Sequence, residues 1–111
     1  MKVDTGYCTY EVSSAEIGHY SYGGGLAIEL MCIDEEYGFE EPLARLTVNL
    51  QDYKNLKDNQ AFIDTNNCPW AEEFLKENKF AKPTGIMGHS GYCVYPLYEF
   101  DLEELNAVFG D

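Results

Sequence analysis

Hydrophobic and polar residues alternate most cleanly in two stretches. LARLTVNL (43–50) puts Ala44, Leu46, Val48 and Leu50 on one side, with Arg45, Thr47 and Asn49 on the other. A period of two is a strand pattern, and a polar second face predicts an antiparallel strand with one side in solvent. LAIELMCI (26–33) places Leu26, Ile28, Leu30 and Cys32 on one face. The two stretches read as a β-hairpin joined by the polar loop DEEYGFEEP (34–42). YCTYEV (7–12) alternates and is rich in Tyr, Thr and Val, which suits a strand. After SSAEIGHYSY, the run Gly23–Gly25 reads as a flexible turn. QDYKNLKDN (51–59) reads as a loop or loose helical turn, AFID (61–64) as a short strand, and KPTGIMGHSG (82–91) as a glycine-rich loop. YCVYPLYEF (92–100) reads as a strand with Tyr92, Tyr98 and Phe100 on one face. Pro96 has no N–H for a ladder, so the strand is expected at an edge or a bulge.

Two segments change period from two to that of a helix. In DTNNCPWAEEFLKEN, residues 69–78 form a helical pattern in which Trp70, Ala71, Phe74 and Leu75 share one stripe. Pro69 suits the first helical position, with Asn67 or Cys68 as cap. DLEELNAVF (101–109) reads as a terminal helix, with Asp101 as N-cap and Glu104 at the capping-box position. The expected fold is α+β: one domain over 1–111, an antiparallel sheet of about four strands with two short helices.

Charge adds a feature that periodicity does not show. Twenty acids face seven bases, a formal net charge of −13. Nine acids and no base lie between Val3 and Ala44, residues 45–82 carry six of each sign, and Pro83–Asp111 adds five acids and no base. Solubility needs a net charge of only about 2–8 on a small domain. Such a field repels nucleic acid and anionic membranes and attracts basic surfaces. No basic-then-apolar leader and no apolar run long enough for a membrane span is present, and four scattered cysteines read as reduced thiols. The expected location is the cytoplasm.

Specific chemistry is hard to place on these residues. GHSGY (88–92) lacks the residue between Ser90 and Gly91 that a nucleophile elbow requires. A calcium loop starting at Asp34 would need an oxygen ligand at Gly38 and a Glu at Arg45. No Cys or His pair has zinc spacing, and no lysine follows Gly23–Gly25 to hold a phosphate. No cofactor and no metal is expected. Cys68 precedes a helix start, a place where a thiol can be activated. Glu72 and Glu73 would oppose a thiolate there.

The run AFIDTNNCPWAEEFLKEN, then PTG, then SGYCVYPLYEFDLEEL, resembles an uncharacterised family of small acidic bacterial proteins. The resemblance spans roughly residues 26–105. Proteins similar to it are frequent on phages and conjugative elements, a context that implies inhibitors of host defence. It implies no catalytic residue.

The expected function is a non-enzymatic, acidic protein-binding module. Its partner would be a basic protein surface, in the sharper form that of a nuclease or other nucleic-acid-binding protein, engaged by imitation of nucleic acid. Duplex DNA carries roughly one charge per 1.7 Å of axis. The residues placed to imitate part of that field are Asp34, Glu35, Glu36, Glu40 and Glu41, with Tyr37 as an anchor, and Asp101, Glu103 and Glu104. Two alternatives stand beside it: a small accessory or regulatory domain that binds through the aromatic face of 92–100, and a cysteine-dependent enzyme.

Overall fold

The computed structural model describes residues 1–22, 24–50, 53 and 55–109. Gly23 of the expected glycine turn, and Gln51, Asp52 and Lys54 of the 51–59 segment, lie outside the described residues, as do residues 110 and 111. The architecture is α+β, with two four-stranded antiparallel sheets. The first has the order β1 (Lys2–Asp4), β2 (Thr9–His19), β3 (Leu26–Ile33), β4 (Glu40–Arg45). The second has the order β5 (Thr47–Val48), β6 (Gln60–Ile63), β8 (Cys93–Phe100), β7 (Ala81–Ser90), with helix α1 (Ala71–Asn78) between β6 and β7 and helix α2 (Leu102–Phe109) after β8. Val3, Val12, Leu26, Ile28 and Leu30 of the first sheet meet Ala61, Ile63, Tyr98 and Phe100 of the second, with Phe74 and Leu75 of α1 and Leu105 of α2, in one buried cluster. A smaller cluster of Leu50, Phe62, Tyr95 and Leu97 packs with Tyr53 and Leu56.

The expected 43–50 strand is broken at Leu46. Leu46 and Thr47 are both buried, so strict alternation fails at that step. The Leu46 N–H donates to the Ile28 carbonyl at 2.9 Å, and its own carbonyl accepts the Asp64 N–H at 3.0 Å. The Thr47 hydroxyl oxygen accepts the Ile28 N–H at 3.1 Å. The chain thus leaves one sheet and enters the other within one residue, and a side-chain oxygen satisfies the β3 amide left over.

Residues 82–90 of the expected loop lie in strand β7, and Gly91 in the turn after it. Their glycines have other tasks. Gly88 lies so close to the core that a Cβ there would stand 2.6 Å from both Leu50 and Phe62. Gly85, with φ 87°, sits where the β7–β8 register shifts between Pro83 and Met87. Gly91, with φ 60°, opens the two-residue turn between the paired Ser90 and Cys93, a position that favours glycine. β8 is interior, between β6 and β7, where Pro96 had suggested an edge. β6 pairs with β8 only as far as Phe62↔Leu97, so its ladder makes no demand on the N–H that Pro96 lacks, and the irregular register on the β7 side is the expected bulge. Tyr98 and Phe100 are buried, whereas Tyr92 stands in the turn.

Helix α1 begins at Ala71, two residues later than Pro69 suggested. Asp64, itself buried, organises the preceding turn. Its carboxylate accepts the Asn67 backbone N–H at 3.2 Å and the Asn67 side-chain amide at 2.9 Å, and its carbonyl accepts the Cys68 N–H at 2.8 Å. The N-cap is Trp70, with no side-chain cap bond, so neither Asn67 nor Cys68 caps the helix. Phe74, Leu75 and Ala71 are buried as the stripe predicts, and Trp70 packs edge-on against Phe74.

Candidate partner-binding site

The acidic hairpin between β3 and β4 is built by its first residue. The Asp34 N–H donates to the Phe39 carbonyl at 2.7 Å, its carbonyl accepts the Gly38 N–H at 2.7 Å, and its carboxylate accepts the Glu36 N–H at 2.8 Å. An aspartate closing such a turn on its own backbone is a local structural role. It leaves Glu35, Glu36 and Tyr37 exposed at the tip, with Phe39 beside them; Tyr37 and Phe39 are 68% and 72% exposed.

Glu40 and Glu41 lie in strand β4, outside the turn. The Glu40 carboxylate accepts the Ser14 and Ser13 hydroxyls at 2.7 and 2.9 Å, and those two bonds, Ser14 first, hold its pKa below the usual carboxylate value. Glu41 faces the buried Cys32 thiol at 4.0 Å. Burial first, then the Glu41 and Asp34 charges, push that thiol up, so it stays protonated at neutral pH.

A groove opens beside this hairpin. β2 and β3 stay paired as far as Val12↔Cys32, after which β2 continues along β1 and β3 along β4. The cavity between them, about 460 Å³, is lined by Cys8, Thr9, Tyr10, Glu11, Ser13, Cys32, Ile33, Asp34, Glu35 and Glu41. Four carboxylates share it with Tyr10 and Ile33, and no Lys or Arg among the described residues lines it. Among the described residues the ion pairs are the Met1 ammonium with Glu11 at 2.8 Å and Arg45 with Glu29 at 3.5 Å. Neither neutralises the hairpin. Lys76, Lys79 and Lys82 instead line a separate cavity of about 620 Å³ with Glu72, Glu73 and Tyr98.

The second acidic group stands at the start of α2, after β8 of the second sheet. Asp101 caps α2: its carboxylate accepts the Glu104 N–H at 3.1 Å, while its own N–H donates to the Phe80 carbonyl at 2.8 Å. The Glu104 side chain therefore has no reciprocal box bond to make at that N–H. Glu103 and Glu104 are exposed in the first turn of α2. No hydrogen bond or ion pair among the described residues joins Asp101, Glu103 or Glu104 to the hairpin, and the two groups follow different sheets. Asp34, Glu35, Glu36, Tyr37, Glu40 and Glu41 come together. Glu11, Tyr10, Ile33 and Phe39 join them. Phe39 was legible as an aromatic set among acids, whereas Glu11 and Tyr10 arrive only through the register of β2.

Cys68 is 4% exposed, and its Sγ lies 3.6 Å from the Arg45 carbonyl. Burial, followed by the Asp64 charge, pushes its pKa up to about 11. The expected opposition to a thiolate is present, but its source is burial and Asp64. A protonated, enclosed thiol is a poor nucleophile. Among the described residues no three His, Cys, Asp or Glu side chains are grouped to hold a metal ion, and no helix is long and apolar enough to cross a membrane. A family model described as Domain of unknown function (DUF4313) matches residues 14–110. No curated protein and no solved structure matches the chain.

Proposed function

The chain belongs to the DUF4313 family, and from that premise we propose that it is a non-enzymatic protein-binding module whose partner presents a basic surface, the nucleic-acid groove of a nuclease or another nucleic-acid-binding protein. The observation that carries this reading is the hairpin Asp34–Glu41 beside its carboxylate-lined groove, in which Glu11 alone, among the described residues, is paired with a cation, and with Tyr37 and Phe39 exposed among the acids. Charges at a contact set rate and specificity, while a few aromatic anchors hold most of the affinity. This site offers both. The aromatic face of 92–100 is a weaker candidate, because Tyr95, Leu97, Tyr98 and Phe100 are buried.

The test is capture of basic nucleic-acid-binding proteins on the immobilised chain at low and high salt, followed by challenge with duplex DNA. The expected outcome is a salt-sensitive partner that duplex DNA displaces. Reversal of Glu35, Glu36, Glu40 and Glu41 to Lys should lower its affinity by 10-fold or more, roughly 1.4 kcal/mol or above. Retention indifferent to salt, to DNA and to the reversal would overturn the reading.

A further inference from the structure

Residues Pro83–Tyr98 contain no Asp, Glu, Lys or Arg, in a chain whose net charge is −13. They make up most of the β7–β8 hairpin, at the free edge of the second sheet. Instead of burying all of its apolar side chains, this hairpin exposes Ile86, Met87, Tyr92 and Val94 by 54%, 46%, 107% and 43%. Met87 pairs with Pro96 and His89 with Val94, so Met87, His89 and Val94 share the face turned away from Leu50 and Phe62, with Tyr92 in the turn at its end and Ile86 beside the register shift. The exposed aromatics Tyr37 and Phe39, by contrast, stand among carboxylates. The molecule therefore carries two contact surfaces of opposite character.

Charge decides what each surface accepts. A basic partner is drawn to the carboxylates of the β3–β4 hairpin. An uncharged apolar surface on a strongly acidic body suits a partner that is itself acidic, since contact there brings no like charges together. Screening reinforces the point. The Debye length is about 8 Å at physiological ionic strength, against molecular extents of 41 × 31 × 25 Å. Charges across the molecule are then largely screened, and the local surface governs approach.

We propose that the β7–β8 hairpin is the interface through which the chain associates with a second copy of itself, around a two-fold axis. The contact is made by side chains. Continuous sheet pairing is obstructed because the Tyr53 hydroxyl accepts the outward His89 N–H at 3.1 Å, and the Pro83–Met87 irregularity interrupts the rest of the β7 edge. In an isologous contact each Met87 and Val94 meets its counterpart's patch, and every substitution enters twice.

Sedimentation equilibrium of the whole chain tests this at about 0.01 M and about 0.15 M salt, where the Debye lengths are roughly 30 and 8 Å. The expected result is a monomer–dimer equilibrium that tightens at least 10-fold at the higher salt, the opposite of the salt response expected at the acidic hairpin. Met87→Glu and, separately, Val94→Glu should each leave a monomer at both salts with an unchanged circular dichroism spectrum. Reversal of Glu35, Glu36, Glu40 and Glu41 to Lys should leave the dimer in place. A monomer at both salts up to millimolar concentration, or a dimer that survives both folded Glu variants, would overturn the proposal. So would a dimer that weakens as salt is added.

Discussion

At Gly88, the missing side chain is what lets β7 lie on Phe62 and Leu50. A methyl group there would stand 2.6 Å from carbons of both, inside van der Waals contact. Gly88→Ala should lower stability by about 1–3 kcal/mol, the usual result of overpacking a filled core. A urea titration reads this as a lower midpoint with an unchanged slope; an unshifted midpoint would mean that β7 does not pack as described. In the sequence, Gly88 looked like one more loop glycine. Its role depends on residues 38 and 26 positions away, which no local pattern reports. The acids teach a related lesson. Their number was legible, but which of them build the fold was not: Asp34 closes a turn, Asp64 organises the start of α1, and Asp101 caps α2, whereas Glu35 and Glu36 are left at the surface.

Elements were legible wherever one rule acted alone. β3 begins and ends where alternation placed it, and α1 follows its apolar stripe. The Asp101 cap is also as expected, since capping depends on residues three apart. Asp101→Ala removes the acceptor of the Glu104 N–H and should cost about 1 kcal/mol. Asp101→Asn should restore most of it, because Asn caps nearly as well; thermal melts of the pair check this, and equal loss in both variants would exclude the cap as the cause. Expectation failed where two rules competed. Residues 43–50 alternate well enough for one strand, but Leu46 must serve both sheets, and tertiary pairing overrode the local period. Residues 82–91 carry enough glycine for a loop, but three of those glycines mark a close approach, a bulge and a turn within a hairpin.

For the molecule as a whole, charge and burial give stability a definite pH profile. From neutral pH toward the isoelectric point near 4.3, protonation of carboxylates relieves self-repulsion, and stability should rise. Further acid should reverse the gain: the depressed folded pKa of Glu40 means that its stabilisation, present above the unfolded value, is lost as pH falls through the folded one. On the alkaline side Cys68 acts with the opposite sign. Its folded pKa is raised from 9.0 to about 11, so its contribution is full below the unfolded value and disappears between the two. Tyr98, raised by burial and its bond to Glu72, extends that decline. Denaturant midpoints across the pH range should show a maximum on the acid side of neutrality. Midpoints still highest at pH 7 would show that self-repulsion is too small to matter.

The junction at Leu46 also bears on geometry between molecules. One residue is bonded to β3 through its N–H and to Asp64, just past β6, through its carbonyl, and the Thr47 hydroxyl adds a second tie. The sheets therefore turn together, and the acidic hairpin on one keeps a fixed bearing to the neutral hairpin on the other. In a two-fold pair, two acidic faces would stand at a set separation. A partner with two basic sites at that span would be held bivalently, at an effective concentration of about millimolar for the second contact. Weak individual contacts would then add up to long residence, and a partner with sites at another spacing would gain nothing from the second face.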